Sequence, residues 1–345
     1  MKTNNTLTII LLSLMLWSCG SSTGEKKSDF LLKTNAPGNG ISLHETLNLT
    51  IKNPKNLPID SVSYYLNDQR ITETTNLNQH KLGKHTLKAK VHTNGETQSV
   101  TQPLLILNDQ HPTVYSFDLL NEYPHDITSY TQGLEFYNDT LYESTGQYKE
   151  SKLRKVDYET GEVLKNINLA NEYFGEGLTI LNENLYQLTW QKGTGFVYNI
   201  NTLEKTSSFK YNNSKEGWGL CNDGNVIYKS DGTEKIWILD PNTLEEKEYI
   251  QVYTNKGKIG RVNELEWING KIYANIYQKD GVAIINPKNG AVEGVIDFTP
   301  LKKKVTQHQG LDVLNGMAFN PKTNTLFVTG KRWDKLFEVT VKPKQ

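Results

Sequence analysis

The chain has 345 residues, more than one ordinary domain needs and enough for a small domain beside a large one. Lysine plus arginine and aspartate plus glutamate both number 38, so the charge balance gives no sign of a nucleic-acid surface. Tyrosine is abundant at 18, methionine is rare at 3, and 26 glycines punctuate segments rich in threonine and β-branched residues, which indicates an all-β protein.

The N-terminus reads as a targeting segment. Lys2 starts a short positive region, Leu7 to Trp17 is mostly apolar, and the polar Gly20-Ser21-Ser22 follows. That apolar run falls short of the roughly 20 residues a bilayer span needs, so a signal peptide is expected. Leu16-Trp17-Ser18-Cys19 resembles a bacterial lipobox, which makes residues 1–19 a lipoprotein signal peptide with Cys19 as the lipidated residue. A plain secretory signal with another cleavage site is the alternative. The lipobox implies a lipid-anchored protein of the cell envelope, facing the periplasm or the exterior. Cys221 is the only other cysteine, so a modified Cys19 leaves no disulfide to form and packing must hold the fold together.

Residues 20–28 are small and polar, a flexible tether. Residues 29–109 carry short alternating segments such as Leu47-Asn48-Leu49-Thr50-Ile51 and His85-Thr86-Leu87-Lys88-Ala89-Lys90-Val91. Turn signals at Asn53-Pro54 and Asn94-Gly95 separate them. The pattern predicts a small Ig-like β-sandwich that serves as a spacer or docking module. Asn108 to Pro112 is the expected linker, and residues 113–345 form the second domain.

From Thr113 onward the chain repeats itself. Leu134, Leu178, Leu220, Leu265 and Met317 occupy equivalent places, at spacings of 44, 42, 45 and 52. Each is followed by a turn and a second strand with an apolar or aromatic pair, then by a third strand and a turn toward a fourth. Four antiparallel strands recurring at this period predict a β-propeller with five blades. The fifth repeat stops near Val341, and Val114 to Leu119, just before the first repeat, has the alternation of the missing strand. It is expected to complete the last blade and close the ring.

The first strand of each blade lines a propeller's channel, so residues entering it are presented together. Two residues before each anchor stand Gln132, Glu176, Trp218, Asn263 and Asn315; four past the aromatic of each second strand stand Gly146, Trp190, Gly232, Tyr277 and Lys331. One acid, one cation, amides and aromatics in a common register make up a ligand pocket rather than a purely structural repeat. Singly each has a plainer use: the tryptophans as packing, the asparagines as turn formers, Lys331 as a solvated charge. Glu176 sits between Gly175 and Gly177, which are expected to let the backbone turn and leave the acid unshielded.

Tyr130-Thr131-Gln132-Gly133-Leu134, Phe174-Gly175-Glu176-Gly177-Leu178-Thr179, Leu188-Thr189-Trp190, Glu216-Gly217-Trp218-Gly219-Leu220, Asn263-Glu264-Leu265-Glu266, Leu314-Asn315-Gly316 and Thr329-Gly330-Lys331 together resemble the plant-type glutaminyl cyclases, or glutamine cyclotransferases. The resemblance runs from about Tyr115 to Val341 and leaves out the N-terminal domain. It implies a five-bladed propeller that converts an N-terminal glutamine of peptides or proteins to pyroglutamate and releases ammonia. By position, Glu176 matches the family's catalytic acid, Lys331 its active-site lysine and Asn263 its asparagine. Tyr130, Gln132, Phe174, Trp190, Trp218, Tyr277 and Asn315 fall at the substrate pocket. Tyr130 stands where phenylalanine is usual and Tyr277 in place of tryptophan; both keep an aromatic face and add a hydroxyl.

The chemistry suits these side chains. One carboxyl group can take the proton of the attacking amine and deliver it to the departing ammonia, and Lys331 or Asn263 can stabilise the oxyanion. No cofactor is required, and none of the seven histidines pairs at ligand spacing beside a third ligand. A structural Ca²⁺ in the channel stays open, since backbone carbonyls bind Ca²⁺ without a sequence signal. The rival readings are a peptide- or sugar-binding propeller without turnover and, more weakly, a propeller lactonase. Retention of both Glu176 and Lys331 favours the enzyme.

Overall fold

The computed structural model describes residues 28–344. The expected signal peptide, Cys19 and nearly all of the tether lie outside them. Apart from a one-turn helix, Thr299–Lys302, and a 3-10 turn, Pro37–Asn39, the described elements are strands.

The N-terminal stretch forms two sheets. One has five strands in the order Gly40–Ser42, Glu96–Leu107, Gly83–Thr93, Ser61–Leu66, Gln69–Ile71; the other has three, Leu31–Thr34, Thr46–Lys52, Thr74–Asn76. Alternation turns one face of each inward, Leu47 and Leu49 from one, Leu87 and Ala89 from the other, and these meet in a common core. That core also takes in Tyr253 and Ala291 from the second half of the chain. Gly83 lies against the Gln251 side chain, and a Cβ there would come within 2.5 Å of it. Leu82 N–H donates to Asn289 O at 2.8 Å and Lys81 Nζ meets Glu248 Oε2 at 2.6 Å, so the junction is polar at its rim.

The remainder is propeller-like. Three four-stranded antiparallel sheets start from the inner strands Thr131–Tyr137, Gly175–Leu181 and Leu220–Asn222. One eight-stranded sheet carries two further inner strands, Val262–Ile268 and Leu314–Asn320, at its two ends. These inner strands touch in a closed circuit, with Leu314–Asn320 returning to Thr131–Tyr137. Enclosure explains why Gly175–Leu181 is buried at every position instead of alternating. Thr113–Pro124 pairs antiparallel with Lys335–Pro343 and completes the last group of four strands. Its first residues also pair parallel with Val292–Asp297 (Gly294 opposite Thr113), and this fuses the last two groups into one sheet. At the seam, buried His125 meets Glu143 Oε1 at 3.1 Å and Trp333 O at 2.8 Å.

The glycines behind the pocket residues do not act as turns. A Cβ on Gly177 would stand 2.6 Å from Gly219 Cα, one on Gly133 would stand 2.6 Å from Leu178 N, and one on Gly219 would run into Asn263 O. Their absence of side chain lets successive inner strands close around a narrow axis. The expectation that Gly177 frees Glu176 by a sharp turn is therefore corrected: it is a packing glycine in a strand. In the fourth repeat Glu264 holds the equivalent place and accepts hydrogen bonds from the backbone N–H groups of Met317 and Leu134.

Candidate active site

Four of the inner strands carry a β-bulge just ahead of their anchor residue, and in three of them it falls at a residue that enters the pocket. Pairing skips between Thr131 and Gly133, Gly175 and Leu178, Val262 and Leu265, and Leu314 and Met317. An unpaired extra residue re-aims its side chain, and here it turns Gln132, Glu176 and Asn263 toward one cavity of about 350 Å³. That cavity is lined by nine of the ten residues expected at the site: Tyr130, Gln132, Phe174, Glu176, Trp190, Trp218, Asn263, Tyr277 and Lys331. Asn315 does not line it. Its Nδ2 instead donates to Thr131 O at 2.9 Å and to Gln132 Oε1 at 3.1 Å, one layer behind.

The two glycines of the second register have a use of their own. Cβ atoms on Gly146 and Gly232 would collide with the rings of Phe174 and Trp218, respectively. Where the repeat lacks a side chain, a neighbouring aromatic fills the space. The walls form a nearly continuous arc of edge-to-face rings, Tyr130 with Phe174 at 6.1 Å, Phe174 with Trp190 at 5.5 Å, and Trp218 with Tyr277 at 5.6 Å. Lys331 bridges the ends, its Nζ 4.7 Å from the centre of the Tyr130 ring and 5.1 Å from that of Tyr277.

Glu176 is buried, and Gln132 Nε2 donates to its Oε1 at 2.9 Å. Burial pushes its carboxyl well above the usual range; Lys331 pulls it back and Glu216 pushes it further up. Burial lowers the Lys331 ammonium against the opposing charges of Glu176 and Asp312. The two groups face the same cavity without forming a direct ion pair, so a ligand between them would meet both. Asn263 Oδ1 is buried with no hydrogen-bond partner among the described residues and stands ready to accept an N–H from a ligand.

Several residues of the site had no assigned role in the register. Gln147 and Tyr148 line the mouth, on a turn where Gln147 and Lys149 take left-handed φ of 86° and 71°. Asp312 accepts the Tyr130 hydroxyl at 2.8 Å. Glu216 accepts both pocket indoles, Trp190 Nε1 and Trp218 Nε1, each at 2.8 Å. Glu216 sits two residues from Trp218 in a Glu-Gly-Trp-Gly run like the Phe-Gly-Glu-Gly around Glu176, a parallel that was available from the sequence. Gln147, Tyr148 and Asp312 fall outside both registers and left no such trace.

Among the described residues no group of three or more His, Cys, Asp and Glu side chains is placed to hold a metal ion. The buried carboxyls of the inner strands, Glu135, Glu264 and Glu266, each accept a backbone N–H and are pushed up by burial, while among the described residues Glu264 Oε2 has no hydrogen-bond partner.

The sequence model of the family described as glutamine cyclotransferase matches residues 86–341. That match starts earlier than the resemblance seen in the sequence, inside strand Gly83–Thr93 of the N-terminal sheets. A protein of Arabidopsis thaliana named glutaminyl-peptide cyclotransferase is 42% identical over 232 residues, covering 66% of this chain and 72% of that protein. The crystal structure of Myxococcus xanthus glutaminyl cyclase superimposes with a TM-score of 0.64 at 34% identity, covering 68% of this chain and 100% of that one. With the match spanning most of its length and the buried acid, lysine and aromatic walls gathered in one cavity, this chain belongs to the glutamine cyclotransferase family.

Proposed function

We infer that this chain is a glutaminyl-peptide cyclotransferase, acting on peptides or proteins with an N-terminal glutamine. The observation that carries the reading is that Glu176 and Lys331 face each other across one aromatic cavity in a chain of this family.

The substrate enters with a neutral α-amine. Its nitrogen attacks the side-chain Cδ, the N–Cδ bond forms, and the carbonyl oxygen becomes an oxyanion. Glu176, ionised, takes the proton that the amine loses. It then delivers that proton to the side-chain nitrogen as the Cδ–N bond breaks, so ammonia leaves and the lactam ring remains. Gln132 occupies Oε1, so the proton work falls to Oε2. A pKa raised by burial suits a group that must both accept and return a proton near neutrality. Lys331 Nζ supports the oxyanion, and Asn263 Oδ1 accepts an N–H of the substrate. The indole and phenyl faces hold the side chain folded, with amine and carbonyl carbon in attack distance. No cofactor takes part.

We further read the fused eight-stranded sheet as two blades bridged by Thr113–Tyr115, which makes a five-bladed propeller over residues 113–345. The two N-terminal sheets are read as an Ig-like domain over residues 29–109. With Cys19 as a lipid anchor, the enzyme works at the cell envelope on peptides that reach its surface.

The test is to incubate the soluble form, starting near Ser28, with a Gln-initiated dipeptide and follow ammonia release together with loss of the free amine. Turnover is expected, with near-complete loss in Glu176→Gln at unchanged fold. Binding without ammonia release in the unmutated protein would make it a recognition propeller instead.

A further inference from the structure

Both pocket indoles end on one oxygen atom. Trp190 lies at the end of strand Asn184–Thr189 and Trp218 just ahead of strand Leu220–Asn222, in different sheets. Their Nε1 groups meet at Glu216 Oε2, and Gln191 Nε2 donates to the other oxygen at 3.2 Å. Glu216 itself does not line the cavity. It stands behind the walls, held from the protein side. Fully buried Lys229 donates to Glu216 O at 2.8 Å and to Ser214 Oγ at 2.6 Å, while pairing with Glu246 Oε1 at 3.1 Å. Gly217 N–H donates to Trp190 O at 3.0 Å, which ties the Glu216 turn to the neighbouring sheet. A carboxylate on so constrained a backbone fixes both indole planes at once.

Packing alone does not call for a charge at this place. An amide oxygen would accept the same two N–H groups, and half-exposed indoles could use water. An acid also brings its charge to bear on Glu176, which an amide would not.

Building on the glutaminyl-cyclase reading, we propose that Glu216 is the positioning residue of the reaction. It sets Trp190 and Trp218 as the walls that fold the glutamine side chain, and it does so with a carboxylate whose charge acts on Glu176. The groups that face this pair are few. Glu176 is hydrogen-bonded by Gln132 and lies within electrostatic reach of Lys331, Glu216, Tyr130 and Tyr211; Glu216 meets the two indoles, Gln191 and, through its carbonyl, Lys229.

Two variants separate the two effects. Glu216→Ala removes the acceptor, and a KM about tenfold higher is expected, the size of one lost charge-assisted hydrogen bond. Glu216→Gln keeps an acceptor and removes the charge. Its KM should stay near the wild-type value while the acidic limb of the kcat profile moves to lower pH, because Glu176 then ionises more readily. A role in folding alone would leave that limb where it is. A Glu216→Gln profile superimposable on the wild type, in an enzyme that still releases ammonia, overturns the inference and leaves the glutaminyl-cyclase reading intact. A wild-type protein that releases no ammonia removes that reading first. Should Glu216→Ala fail to fold, the Glu216→Gln profile decides alone.

Discussion

Gln132 approaches Glu176 from the neighbouring inner strand and donates its side-chain N–H at 2.9 Å, with its amide orientation fixed from behind. Asn315 Nδ2 donates to Gln132 Oε1 at 3.1 Å, so the amide must present its nitrogen to the acid. Removing Gln132 frees that carboxylate oxygen, and removing Asn315 releases the amide that holds it. Gln132→Ala and Asn315→Ala are each expected to lower kcat/KM about tenfold, the size of one lost hydrogen bond to a charged group. Because both act through one chain, the double variant should cost little more than Gln132→Ala alone. A double-mutant cycle on ammonia release checks this, and additive losses would separate Asn315 from the acid.

Among the described residues Lys331 has no carboxylate in direct contact, and it rests between the faces of Tyr130 and Tyr277. Its task is transition-state charge, so Lys331→Met should lower kcat by about 10²- to 10³-fold with a smaller change in KM. Burial lowers its pKa, so the ammonium is lost at a pH below the ordinary lysine value. The alkaline limb of the kcat profile is expected below about 10.4 and absent from Lys331→Met. Steady-state kinetics across pH reads both. Tyr130→Phe removes only the 2.8 Å hydroxyl contact to Asp312 and should change kcat by less than about threefold.

Stability should fall as pH rises through neutrality. Glu135 is pushed up to about 8 by burial, against hydrogen bonds from Thr179 and the Ile180 N–H, and burial also raises Glu264 and Glu266. Between the ordinary carboxylate value and about 8 the folded state binds more protons than the unfolded chain, so unfolding becomes easier with each step upward. His125 acts in the same direction: burial opposes it, but Glu143 and the Trp333 carbonyl hold its pKa above the ordinary value, and that contribution is lost as it deprotonates. Calorimetry at pH 5.5 and pH 8.5 is expected to give the higher Tm at the lower pH, and Glu264→Gln should narrow the gap. A Tm that climbs over this interval would mean that these acids are ionised in the fold.

The period of the anchors was enough to bring Glu176, Trp218, Asn263 and Gln132 to one opening, because a repeat that closes on itself presents equivalent positions together. The second register did the same for Trp190, Tyr277 and Lys331. Asn315 obeyed the first register yet lies a layer deeper, since its amide is drawn to Thr131 O and Gln132. The double pairing of Thr113–Pro124 was not legible either: alternation tells which face of a strand is inward, not how many neighbours its edges find. The glycines were misread for a related reason. A glycine in a turn and a glycine pressed against a neighbouring strand look alike in sequence, and only the latter tolerates no methyl group at an ordinary φ.

That distinction gives the sharpest test of the architecture. Gly177 does not have a left-handed φ, so alanine would suit its backbone, and a turn residue there would accept the change. Its Cβ, however, would stand 2.6 Å from Gly219 Cα and 2.7 Å from both Leu220 N and Trp218 O, all backbone atoms that no rotamer can move aside. Gly177→Ala must therefore push the second and third inner strands apart, at a cost of about 3 kcal/mol. The same displacement shifts Glu176 and Trp218, the residues before these two glycines, away from each other, so kcat/KM should fall even in the fraction that stays folded. Gly224→Ala is the matched control, with φ of 89° and no atom within 4 Å of the added methyl group. It should lose about 1 kcal/mol through backbone strain and leave kcat/KM unchanged. Urea titration and dipeptide turnover on the two variants decide the matter: equal stability losses would mean that Gly177 is not wedged between strands.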